Sequence, residues 1–158
     1  MWQLDEELDA CDAAGITWSI VPGITAASSA VACIGQSLTK RQRSTSVRLF
    51  SGQDIDGFAD QDWSLLARPD EIVTLYMSKT SARFIQGRLL MHGACPATPV
   101  TLVENASRSN QRMLAKTLAD LADYLRKAAF TGPVLTLYGL RPRAAVPLLQ
   151  QIPQRDLA

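Results

Sequence analysis

Val21-Pro22-Gly23-Ile24-Thr25-Ala26-Ala27-Ser28-Ser29-Ala30 is the stretch on which the fold of this chain turns. The residues leading into it, Ile16-Thr17-Trp18-Ser19-Ile20-Val21, are β-branched and apolar, and they predict a buried strand. Pro22 cannot donate to a ladder and Gly23 admits positive φ, so the strand ends there. Thr25 is placed to cap the helix that the following small residues open. Small side chains at a helix start let the backbone and its N–H groups approach a ligand, and they serve tight packing equally well.

Upstream, residues 3–14 read as a helix with an acidic first turn and Gly15 as its stop. Downstream, 25–35 form a small-residue helix closed by Gly35, and 46–50 alternate as a strand. Residues 51–62 are a Gly/Asp-rich loop, Trp63–Leu66 start a helical turn closed by Pro69, and 71–76 are a strand. An amphipathic helix is expected over 79–92, with Ala82, Phe84, Ile85, Leu89 and Leu90 on its apolar side. A strand follows at 100–103. A long helix is expected over 112–128, because Leu114, Leu118, Leu121 and Leu125 recur at three- and four-residue steps. The final strand is 134–137. Strands alternating with helices favour an α/β sheet. The connections 51–62 and 104–111 are longer than packing requires, so they are candidate site walls.

Composition narrows the functional classes. A chain of 158 residues with 47% apolar content can bury one ordinary core, so one domain is expected. A net charge of +1 leaves no electrostatic footprint for nucleic acid or an anionic membrane. No apolar run reaches the roughly 18 residues of a membrane span, and the acidic N-terminus lacks a signal-peptide pattern. Cys11, Cys33 and Cys95 form no Cys-x-x-Cys pair and read as reduced thiols of a cytoplasmic protein. With one histidine, His92, a His-based metal site or catalytic dyad is not expected, and His92 reads as structural or exposed. No metal is implied.

Five segments occur together and in order. They are Val21-Pro22-Gly23-Ile24-Thr25-Ala26-Ala27-Ser28, Ser37-Leu38-Thr39-Lys40-Arg41, Phe50-Ser51-Gly52-Gln53-Asp54, Tyr76-Met77-Ser78-Lys79, and Pro99-Val100-Thr101-Leu102-Val103-Glu104-Asn105-Ala106-Ser107. This set resembles the tetrapyrrole methylases, and among them the uroporphyrinogen-III C-methyltransferases, from about Glu6 to about Leu140. The resemblance implies an α/β fold: a single three-layer domain, residues 1–141, with a central mixed five-stranded sheet flanked by helices. Residues 142–158, with Pro142, Pro147 and Pro153, read as a fraying tail. Family members carry a further α/β domain before this one, with Gly-Pro-Gly-Asp and Gly-Gly-Asp-Pro loops that do not occur here. The chain therefore reads as an N-terminally truncated half.

Further expectations follow from the same resemblance. The activity would be methyl transfer from S-adenosylmethionine to uroporphyrinogen III, giving precorrin-2 on the way to siroheme and cobalamin, with S-adenosylhomocysteine as product. Thr25, Ala26, Met77 and Ala106 would hold the donor. Arg41, with Lys40 beside it, would face the carboxylates of the tetrapyrrole, where a guanidinium gives bidentate recognition. Glu6 falls on an acidic pair near the substrate. From the residues alone, Met77 reads rather as core filler, Lys40 and Arg41 as a solvated loop and Glu6 as a favourable first-turn charge, and Ala106 can be a turn residue. Two departures weigh against activity. Gln53 replaces a His, and Ser78 replaces a Gly that would tolerate positive φ. The expected partners are the tetrapyrrole, a second copy in a homodimer, and a separately encoded N-terminal methylase domain. The alternative is a catalytically inactive remnant or dimerising module. A third reading keeps the fold but changes the substrate, as in diphthine synthase.

Overall fold

The computed structural model describes residues 4–41, 44–53, 57–58 and 60–144. Five helices, α1 (Leu4–Ala13), α2 (Ala26–Cys33), α3 (Trp63–Leu66), α4 (Ser78–Met91) and α5 (Leu121–Lys127), accompany five strands, β1 (Arg48–Ser51), β2 (Val73–Tyr76), β3 (Pro99–Glu104), β4 (Arg112–Thr117) and β5 (Val134–Tyr138). The sheet order is β1-β2-β5-β3-β4. β1 and β2 are parallel, whereas β5 runs antiparallel to both β2 and β3, and β4 antiparallel to β3. The sheet is mixed and five-stranded, as the resemblance implies.

Its two faces are separately covered, which makes three layers. Period-two alternation sorts the side chains. Val73 and Leu75 of β2 and Val100 and Leu102 of β3 pack with Trp63, Ile85, Leu89 and Leu121, under α3, α4 and α5. Ile72, Val103, Leu135 and Leu137 pack on the other face with Ala27, Ala30, Val31 and Ile34 of α2. Each such large side chain taken from water contributes about 1.5–3 kcal/mol. The alanines of α2 let its backbone lie close on the sheet, and Ala30 is wholly buried. Threonines buried in the strands are satisfied: Thr101 Oγ1 donates to Leu140 O (2.8 Å), and Thr136 shares a 2.7 Å hydrogen bond with Ser78.

Two sequence expectations fail, and they offset each other in the strand count. Residues 16–21 are not a strand. Ile16 N–H caps α1 by donating to Cys11 O, and among the described residues no backbone hydrogen bond ties 17–24 to another segment. Ile16, Trp18, Ile20, Val21 and Ile24 are exposed, and α1 buries no residue. The apolar pattern is present, but this chain offers it no sheet. Residues 112–128 are not one helix. Arg112–Thr117 pair with β3 over six register positions, with Met113 turned to the α2 face and Leu114 to the α4 face. A 3-10 turn at Leu118–Asp120 then leads into α5. The leucine spacing matches a helix only because Leu114 and Leu118 happen to fall on the same core from two different elements. Sheet pairing overrides propensity here.

The other expected elements stand, within a few residues at their ends. Among the described residues, no helix is long and apolar enough to cross a membrane. Most of the expected tail lies outside the described residues.

Candidate functional site at the strand ends

Because β1, β2 and β3 run the same way, their C-terminal ends at Ser51, Tyr76 and Glu104 share one edge of the sheet with the start of β5. Ligands of open α/β sheets gather at such an edge. The start of α2 joins it, because Ala27 N–H donates to the hydroxyl of Tyr76 at 3.2 Å.

Three turns here are held in strained or close-approach geometry. Met77 follows β2 in the left-handed region (φ 48°, ψ 32°), immediately before α4, and its side chain is 50% exposed. The positive φ falls on Met77 and not on Ser78, which is helical, buried and bonded to Thr136. The expected penalty for replacing Gly at 78 therefore does not arise. Gly52 donates to Tyr76 O (2.7 Å), and a Cβ there would stand 2.3 Å from Ser81 Oγ. After β3, Asn105 (φ 51°) and Ser107 (φ 63°) both lie in the left-handed region and flank half-buried Ala106. Non-glycine residues persist in this region only where their surroundings over-determine them.

Thr25 caps α2 as expected: its Oγ1 accepts from Ser28 N at 3.1 Å. From the same helix, Ser29 Oγ lies 2.6 Å from Ser107 Oγ. Gln111 Oε1 accepts from Ser107 N (2.8 Å) and from Cys33 Sγ (2.7 Å). Thr25, Ala26, Met77 and Ala106 thus belong to three segments that the fold draws together and bonds to one another. Tyr76, Ser29, Ser107 and Gln111, which make those bonds, escaped the sequence reading. A hydroxyl beside Met77 was visible, but its partner 49 positions away was not.

A buried carboxylate anchors the next turn. Glu104, 1% exposed, accepts N–H bonds from Thr131 and Gly132, both at 2.7 Å, through Oε1, and pairs with Arg112 (3.2 Å) through Oε2. The Gly132 N–H above all holds its carboxyl below the usual carboxylate range. Burial opposes this, and Thr131, Arg112 and Lys79 add to it. Arg112 also donates to Ala128 O (3.0 Å) and lies over the Phe130 ring, and Lys79 Nζ donates to Phe130 O.

Other expected site residues lie apart. Lys40 and Arg41 are exposed in a loop that leaves α2 and enters β1 at the opposite end of the sheet, closed by a Lys40–Ser44 bridge. No described contact joins either to Thr25, Met77 or Ala106. Glu6 is exposed in the first turn of α1. Gln53 donates to Thr80 Oγ1 (2.6 Å), and Asp54 lies outside the described residues. His92 is exposed, with Nδ1 2.9 Å from Ser64 Oγ. Among the described residues, no group of three or more His, Cys, Asp or Glu is placed to hold a metal ion. A concavity of about 280 Å³ lies elsewhere, between β4 and α5, against Leu114, Tyr124 and Phe130. It is open and mostly apolar, and the cations at its rim are already engaged: Arg112 with Glu104, Lys127 with Asp123. The strand ends, with their left-handed turns and converging backbone, are the better candidate.

The chain is similar to known proteins over most of its length. The family model described as Tetrapyrrole (Corrin/Porphyrin) Methylases matches residues 3–122. The siroheme synthase of Edwardsiella ictaluri is 45% identical over 143 residues, covering 87% of this chain and 30% of that protein. That of Gluconacetobacter diazotrophicus is 39% identical over 145 residues, covering 90% and 31%. The solved uroporphyrin-III C-methyltransferase of Thermus thermophilus, complexed with S-adenosylhomocysteine, superposes with a TM-score of 0.68 at 26% identity, covering 87% of this chain and 59% of that one. The chain thus spans about a third of the curated relatives and under two thirds of the solved one.

Proposed function

The chain belongs to the tetrapyrrole (corrin/porphyrin) methylases, and from that membership we propose that it is the donor-binding half of a uroporphyrinogen-III C-methyltransferase. The observation that carries this reading is the convergence of Thr25–Ala26, Met77 and Ala106 at one sheet edge. S-adenosylmethionine carries a flat adenine, a ribose, a charged amino-acid end and a sulfonium methyl. The residues at the edge fit such a molecule. Met77 offers an exposed thioether to stack on the adenine. Ala26 and Ala106 carry only methyl side chains, so they leave the backbone beside the left-handed turns at Met77, Asn105 and Ser107 unobstructed. The donor supplies a methyl already activated on sulfur, so the protein's task is positioning.

In the proposed reaction a nucleophilic carbon of uroporphyrinogen III forms a C–C bond to the methyl as the C–S bond breaks. S-adenosylhomocysteine leaves, and the ring system loses a proton. Two such transfers, at C2 and C7, give precorrin-2. Arg41 and Lys40 would meet the substrate carboxylates as exposed cations, apart from the donor contacts. Glu6 would come near the substrate only from α1. Residues 1–141 would form the domain and 142–158 its tail, in a cytoplasmic protein.

Turnover in this proposal needs a further domain, and a homodimer would be the assembled form. Among the described residues α1 buries no side chain and the apolar residues of 16–24 are exposed, which supports the first requirement. An amphipathic helix and an apolar run of this kind gain stability by packing against a sheet. The same feature favours a second reading, a catalytically inactive module that has lost its sheet partner.

Calorimetric titration with S-adenosylhomocysteine tests the donor reading. Micromolar affinity that is lost in Met77→Ala supports it. No heat at millimolar ligand sinks it and leaves the inactive module.

A further inference from the structure

Two hydroxyl contacts join the three proposed donor segments, and neither is needed for the core. The first runs from Ala27 N–H to Tyr76 Oη (3.2 Å) and ties the start of α2 to the strand end that carries Met77. The second, Ser29 Oγ to Ser107 Oγ (2.6 Å), ties the same helix one turn on to the turn that carries Ala106. Gln111 extends it by accepting from Ser107 N and Cys33 Sγ, so the left-handed Ser107 is held on both its side chain and its backbone. The three segments come from sequence positions far apart, and besides these bonds apolar packing of α2 on β5 and β3, with Tyr76 and Ala106 against the same core, sets their spacing.

We propose that Tyr76 and the Ser29–Ser107–Gln111 chain are positioning residues that fix the start of α2 against Met77 and Ala106, so that the donor meets one preformed surface. This rests on the donor reading above and adds residues to it. Tyr76 lies partly buried on the α2 face, with its ring packed against that core and its hydroxyl used at the edge. A phenylalanine would keep the ring packing and lose only the hydroxyl. Ser29 is helical and half-buried, so alanine there removes one hydroxyl with a better helix former. Loosening a preorganised site costs affinity because the ordering must then happen on binding.

The test uses Tyr76→Phe, Ser29→Ala and the double variant, with three readouts: thermal midpoint, affinity for S-adenosylhomocysteine, and amide exchange at Ala27 and Ser107. Each single change should weaken affinity about fivefold, the equivalent of one hydrogen bond. The double variant should fall short of the product of the two, since both act through one helix. The thermal midpoints should stay within a few degrees, and exchange at Ala27 should quicken in Tyr76→Phe. Unchanged affinity in both variants of a binding-competent chain overturns the proposal and leaves the donor reading intact. Affinity loss that merely tracks a fall in thermal midpoint also overturns it, because that is a stability effect. If the parent chain binds nothing, the donor reading fails, and amide exchange alone decides. Faster exchange at Ala27 in Tyr76→Phe together with a shifted Ser107 resonance in Ser29→Ala supports the bonded circuit, and unchanged spectra sink it.

Discussion

Glu104 Oε1 accepts the backbone N–H of Gly132 at 2.7 Å, and the pair locks the end of β3 to the loop that starts β5. The same oxygen takes Thr131 N–H, and Asn105 N donates to Pro133 O (3.1 Å) alongside. A side chain at 132 has no room, since a Cβ would lie 2.2 Å from Asn105 Oδ1.

Glu104→Gln should therefore destabilise the fold by about 1.5–3 kcal/mol, the range for hydrogen bonds to a charged group. Because folding holds this carboxyl below its ordinary value, its contribution is complete above about pH 5. It is lost as the pH falls through the ordinary glutamate range toward the folded value. Denaturant midpoints at pH 7 and pH 3 for parent and variant check this, with the difference expected to shrink in acid.

Gly132→Ala should act on the neighbouring turn more than on the core. Its Cβ must displace Asn105, and with it Ala106, so donor affinity should fall at least tenfold, the effect of about 1.4 kcal/mol. Gly52→Ala should do the same from the other side by pushing Ser81 and the turn at Met77. Calorimetric affinities of the two variants check both.

Residues 17–24 should exchange their amide protons at rates near those of an unfolded chain, because among the described residues no backbone bond ties them to another segment. Ile20→Lys should leave the thermal midpoint of the lone chain unchanged within about 0.5 kcal/mol of stability. Strong protection at 17–21 would show that another surface covers this segment.

Arg41→Ala with Lys40→Ala should leave donor affinity and stability untouched, since both side chains are exposed and no described contact joins either to Met77. Binding of an octacarboxylate porphyrin should weaken and lose part of its salt dependence. Fluorescence quenching at two salt concentrations measures this.

Much of this fold was legible because its signals are local. Thr25 caps α2 and Gly35 follows it, both as short-range chemistry predicts. The failures are those where a segment's state depends on a distant partner. Ile16–Val21 carry the composition of a strand, but a strand exists only beside another. Arg112–Thr117 carry the period of a helix, yet β3 claims them through six register pairs. At the site the motif residues were legible, but the bonds linking them span 49 and 78 positions and left no local trace. The left-handed turn at Met77 was also hidden, since methionine has no preference for it.

Amide chemical-shift mapping with S-adenosylhomocysteine is the sharpest test of the proposed donor surface at Thr25–Ala26, Met77 and Ala106. Ala26, Ala27, Met77, Ser78 and Ala106 should shift together, with one dissociation constant, while Leu114 and Tyr124 beside the β4–α5 concavity stay still. Shifts confined to that concavity, or no shift anywhere at millimolar ligand, would contradict it.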